Sequence, residues 1–152
     1  MDCPGSTLQI QLAREKEAME QAPVEEPVAV TKLVGVYDAD GSLRRELSYW
    51  IGARIGRRHC GLCEITHGNI RERKDWRECR DALNIPFETL HRDEASLDVI
   101  EATFGRLPAV VAFTADNVVT LLGPEQIEEC KGSPVALVDA IRESADRACL
   151  SI

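Results

Sequence analysis

The chain is poor in aromatics, with three Phe, two Trp and two Tyr among 152 residues, and it lacks any apolar run of the about 18 residues that a membrane helix needs. A membrane-spanning helix is thereby excluded. The opening Met1-Asp2-Cys3-Pro4 has neither the basic start nor the apolar stretch of a secretory signal, so the expectation is a cytoplasmic protein. No G-x-x-x-x-G-K-[ST] loop occurs, which removes P-loop nucleotide hydrolysis. A net charge of -8 and the scarcity of aromatics speak against nucleic-acid binding as a general activity. Cysteines number six, at positions 3, 60, 63, 79, 130 and 149, scattered rather than spaced as a stapled secreted framework. In a reducing compartment they are expected to be thiols, with Cys79, Cys130 and Cys149 serving as packing residues.

What is present points to one ordinary domain, since 152 residues at 44% hydrophobic content can bury a real core but not two. Residues 1–30 read as a tail: a helical stretch from Thr7 to Glu20, then the acid- and proline-textured Gln21-Ala22-Pro23-Val24-Glu25-Glu26-Pro27. The domain is expected over 31–148. Charge is uneven, because residues 44–80 hold ten of the eighteen Lys and Arg against five acids, a local +5 that leaves -13 elsewhere. Solvated helix faces account for such a segment. A basic surround of Arg54, Arg57, Arg58, Arg71 and Arg73 would also lower a nearby thiol pKa and steer an anionic ligand to residues 44–80.

Those arginines bracket His59-Cys60-Gly61-Leu62-Cys63, followed by His67, which gathers two thiols and two imidazoles into nine residues. Two chemistries fit. Cys60 and Cys63 can cycle between dithiol and disulfide, with His59, Arg57 or Arg58 stabilising the attacking thiolate and a protein or small thiol as partner. Alternatively, Cys60, Cys63 and His67, with His59, Cys79 or His91 as a fourth ligand, can hold zinc, which prefers four N or S donors. If residues 60–67 are helical, Cys60, Cys63 and His67 project from one face. The cofactor is therefore either none or zinc, and the activity, if any, that of a thiol–disulfide oxidoreductase.

Along the domain, Lys32 to Tyr37 is a short apolar run suited to a buried strand, ended by the Asp38–Ser42 turn. Leu43, Leu47, Trp50 or Ile51, and Ile55 recur at helical spacing up to Gly56. A helix over 71–83 follows the Cys/His segment, then a strand over 85–91 and a helix over 96–104. Leu107 to Phe113 and Val118 to Leu122 form an antiparallel hairpin about Ala115-Asp116-Asn117, and helices follow at 125–129 and 134–145.

This order resembles the thioredoxin-like family, in which a β-α-β unit is followed by a helix, a strand introduced by a cis-proline, its antiparallel neighbour and a closing helix. Leu107-Pro108-Ala109-Val110-Val111 looks like the cis-proline strand and residues 134–145 like the closing helix. The resemblance implies an α/β three-layer sandwich with a central mixed sheet, and a cis Pro108 near Cys60 and Cys63. In that family the C-x-x-C directly follows the first strand, whereas here that position carries Asp38–Ser42 and the dithiol comes later.

Asp38-Ala39-Asp40-Gly41-Ser42 also resembles the D-x-D-G-[ST] signature of haloacid-dehalogenase-like phosphatases, implying Asp38 as nucleophile, Asp40 as acid and Thr114 as the second motif. No paired acidic motif follows. The local chemistry alone reads as a β-to-α turn with Ser42 capping a helix.

Overall fold

A computed structural model describes residues 26–38, 60–67 and 71–152. Two short strands, β1 (Val28–Ala29) and β6 (Leu150–Ser151), pair in parallel and bring the two ends of the described chain together. The remaining strands, β2 (Lys32–Val36), β3 (Phe87–Leu90), β4 (Ala109–Phe113) and β5 (Val118–Leu122), form one sheet in the order β3-β2-β4-β5. β2 runs parallel to β3 and antiparallel to β4, and β4 runs antiparallel to β5. The fold is therefore mixed α/β with an open, mixed four-stranded sheet.

The helices are α1 (Gly61–Thr66), α2 (Lys74–Asp81), α3 (Leu97–Thr103), α4 (Pro124–Glu129) and α5 (Pro134–Arg147). Helix starts follow local chemistry. Ser133 accepts the Ala136 N–H at 3.3 Å with Pro134 at the first helical position, and the Gln126 side chain reaches back to the Gly123 N–H at 2.9 Å.

β2 and β4 lie inside the sheet and are buried on both faces, so they read as unbroken apolar runs. Their alternation divides two cores. Leu33, Val110 and Ala112 face the larger one, with Leu62, Ile65, Trp76, Ile127, Leu137 and Ile141 from α1, α2, α4 and α5. Val34, Val36 and Val111 face the smaller one, which α3 closes with Val99. Helices thus pack on both faces of the sheet.

The expected elements of 71–152 appear with small boundary shifts, and β2 is placed as predicted. The tail helix over 7–20 and the helix over 43–56 fall outside the described residues. Two expectations need correction. The packed unit extends past 31–148 at both ends, because β1 hydrogen-bonds Val28 N–H to the Cys149 carbonyl and Val30 N–H to the Ser151 carbonyl, and Val30 and Leu150 enter the core. Cys149 is no packing residue: it is exposed, at a left-handed φ of 54° where the chain leaves α5 for β6. Cys130 is buried, and burial, with Glu129 nearby, pushes its thiol pKa up.

Candidate functional site

The dithiol is built on α1. Cys60 is its N-cap in extended conformation, its carbonyl accepting the Glu64 N–H at 3.1 Å, and Leu62, Ile65 and Thr66 turn inward at helical spacing. Cys60 and Cys63 are both half-buried thiols packed against the larger core.

His67 does not continue the helix. The helix ends at Thr66, and His67 has φ -124° and ψ 139°, so the expected one-face stripe of Cys60, Cys63 and His67 stops one residue short. The His67 ring is drawn instead to the end of β2. Its Nδ1 lies 2.8 Å from Thr66 Oγ1 and 3.1 Å from the Tyr37 hydroxyl, and these two oxygens lie 2.8 Å apart. Thr66 donates its own proton to the Leu62 carbonyl at 3.0 Å, one turn back. The Tyr37 ring also lies between two imidazoles, 5.7 Å from His67 and 5.5 Å from His91. Tyr37 and Thr66 were not foreseen from spacing, since one closes a strand and the other reads as an ordinary helix residue.

An open cleft of about 630 Å³ borders Gly61, the residue after Cys60, with neither Cys60 nor Cys63 in its lining. Gly61 forms part of one wall, Leu107 and Pro108 another, and Pro124, Glu125, Glu128 and Glu129 of α4 a third. The Leu107–Pro108 peptide is cis, as the family resemblance implied. A side chain at residue 61 would crowd α4, because a Cβ there would stand 3.1 Å from Glu128 Oε2 and 3.3 Å from Ile127 Cγ2. Asp38 lines the cleft too and is ion-paired with Arg92, while Glu125 is paired with Arg106. Lys131, at a left-handed φ of 49°, is the basic residue among the described cleft wall.

The other predicted positions divide clearly. His59, Arg54, Arg57, Arg58 and Asp40 lie outside the described residues. Arg73 is a structural clamp: it donates to the Glu64 carbonyl at 3.2 Å, to the Gly132 carbonyl at 2.9 Å and to both oxygens of Asp75. Cys79 packs half-buried on α2 against the larger core. His91 opens a 3-10 turn and bonds Glu94 through Nδ1 at 3.0 Å. Among the described residues, no three His, Cys, Asp or Glu side chains gather closely enough to hold a metal ion.

The phosphatase-like placement also fails on topology. Asp38 follows the end of β2 and Thr114 the end of β4, and these strands are antiparallel with Val36 opposite Ala109 and Lys32 opposite Phe113. The two residues therefore stand at opposite ends of the sheet, where they cannot share a reacting group. Thr114 instead closes the β4–β5 turn, its hydroxyl bonded to Asn117.

Comparison with known proteins adds no relative: no family model, curated protein or solved structure matches the chain.

Proposed function

We propose that the chain is a thioredoxin-like thiol–disulfide oxidoreductase working through Cys60 and Cys63. The observation that carries this reading is the shared cleft: Gly61, which lies between the two cysteines, and Pro108, at the start of β4, line the same opening. The mixed sheet with helices on both faces supports the reading, being the architecture that the element order implies.

In the proposed reaction Cys60, having lost its proton to solvent, attacks one sulfur of a partner disulfide. A new S–S bond joins Cys60 to the partner, and the partner's own S–S bond breaks, its electron pair leaving on the departing thiolate, which takes a proton. Cys63 then loses its proton and attacks the Cys60 sulfur, forming the Cys60–Cys63 disulfide and releasing the second partner thiol. Two electrons pass to the partner. Cys60 is assigned the first attack because it adjoins Gly61 at the cleft wall, and Cys63, one turn further into α1, is placed to resolve.

The test is trapping. Cys63→Ser incubated with an oxidised model disulfide should accumulate a mixed disulfide at Cys60, seen by mass spectrometry, whereas Cys60→Ser should not. The parent should equilibrate with thiol buffers at a potential between about -120 and -270 mV. No adduct in either variant and no measurable potential would remove the proposal.

A further inference from the structure

Helix α3 is apolar on two faces. Val99 and Thr103 are buried on the sheet side, as an amphipathic helix requires. On the outward side Leu97 is 79% exposed and Phe104 89% exposed. Leu97 is the first residue of the helix and Phe104 its C-cap, roughly 10 Å apart along the axis, with the exposed Glu101 between them in sequence. Phe104 caps the helix in the left-handed conformation, φ 53° and ψ 31°, and Gly105 follows at φ 66°. Such a position favours Gly or Asn, and a bulky aromatic there is an outlier. Phe104 gains no burial in return. Neither backbone conformation nor core packing accounts for it, which leaves an external contact.

A cleft of about 480 Å³ runs between α3 and the β4–β5 turn. Phe113 and Val118 give it an apolar lining, and Asp98, Glu101 and Asp116 supply its charge. None of these three carboxylates is in an ion pair with another described residue. Lys32 reaches the Phe113 ring, 4.9 Å from its centroid, but is held by Glu88 at 3.0 Å.

We propose that this face of α3 docks a basic amphipathic helical segment of a partner protein. Its apolar side chains cover Leu97 and Phe104, and a Lys or Arg enters the acidic cleft beside them. Charge complementarity selects this occupant. A second copy meeting the face symmetrically would set Asp98 and Glu101 against their own equivalents, a like-charge contact that disfavours self-pairing. The surface lies on the opposite side of the sheet from the dithiol, so it stands or falls independently of the redox reading.

The full chain is titrated with a labelled Leu/Lys amphipathic peptide about 18 residues long, read by fluorescence anisotropy. A Leu/Glu peptide and a Ser/Lys peptide of the same charge without an apolar face serve as comparisons. The Leu/Lys peptide alone should bind. Phe104→Asn should weaken it at least about tenfold, as should the Asp98→Asn, Glu101→Gln pair. Melting of Phe104→Asn should equal or exceed that of the parent, because Asn suits the left-handed cap. The proposal is overturned by absence of binding, by equal binding of the Ser/Lys peptide, or by indifference to Phe104→Asn. A clear fall in melting temperature for that variant would show a structural residue, and a Phe104-dependent dimer in sedimentation would show a second copy as occupant; either overturns it.

Discussion

The Tyr37 hydroxyl lies 2.8 Å from Thr66 Oγ1, with both side chains shut off from water, so one hydrogen bond ties the end of β2 to the last turn of α1. Deleting the hydroxyl with Tyr37→Phe leaves Thr66 satisfied by the Leu62 carbonyl, and the expected loss is about 1 kcal/mol. Thr66→Val should cost more: both changes remove a His67 contact, but this one also removes the bond to the Leu62 carbonyl. A urea-unfolding double-mutant cycle checks this. Strict additivity of the two changes would mean that the two hydroxyls are not coupled.

Zinc should do little to the folded chain. Among the described residues no three His, Cys, Asp or Glu side chains gather closely enough to hold a metal ion. The expected result is an unchanged melting temperature with zinc or with chelator. A ligand at about 100 times its dissociation constant stabilises by about 2.7 kcal/mol, so a rise of that size, lost in His67→Ala, would favour the metal reading over the dithiol.

The acid limb of stability should run partly through Asp75. Its hydrogen bonds from Arg73, and then from the Trp76 N–H, hold its carboxyl below the usual range, and the His91 backbone N–H and ring do the same for Glu94. A carboxyl whose folded pKa is depressed contributes stability above its unfolded pKa and loses it as pH falls through the folded value. Asp75→Asn should therefore show a shallower loss of urea midpoint than the parent as pH falls below the ordinary carboxylate range. Parallel curves would rule Asp75 out. Buried Cys130 acts with the opposite sense, its share present below the ordinary thiol pKa and lost as pH rises above it.

Much of this architecture was legible because its signals are local. Buried strands announced themselves as apolar runs at Leu33–Val36 and Ala109–Ala112, and Gly123-Pro124 and Ser133-Pro134 marked helix starts. The limits of the packed unit were misjudged because β1 and β6 are two residues each and carry no period of their own; only their pairing reveals them. The site was legible in part. The ligand stripe of Cys60, Cys63 and His67 assumed that the helix runs through His67, whereas it ends at Thr66. What diverts His67 is Tyr37, 30 residues earlier, and no local pattern encodes that contact. Phe104 likewise read as the last residue of a helix over 96–104, since exposure and a left-handed backbone cannot be seen in residue type.

Gly61 sets the distance between the dithiol helix and α4, and this can be measured. Alanine at residue 61 gains from helix propensity at most about 1 kcal/mol. Against that, its Cβ would stand 3.3 Å from the buried Ile127 Cγ2 and 3.1 Å from Glu128 Oε2. Glu128 is an exposed side chain, whereas Ile127 is 1% exposed and packed into the larger core. Overpacking of a tight core contact costs about 1–3 kcal/mol, so crowding should outweigh propensity. Gly61→Ala is expected to destabilise by about 1 kcal/mol. The location of the strain predicts what rescues it: Ile127→Leu, which lacks the Cγ2 methyl, should cost less when added to Gly61→Ala than alone, while Glu128→Ala should recover little. Urea midpoints of the three single and two double variants decide the matter. A Gly61→Ala chain as stable as the parent would show that α4 yields freely, and that the cleft wall at Gly61 is not held by this contact.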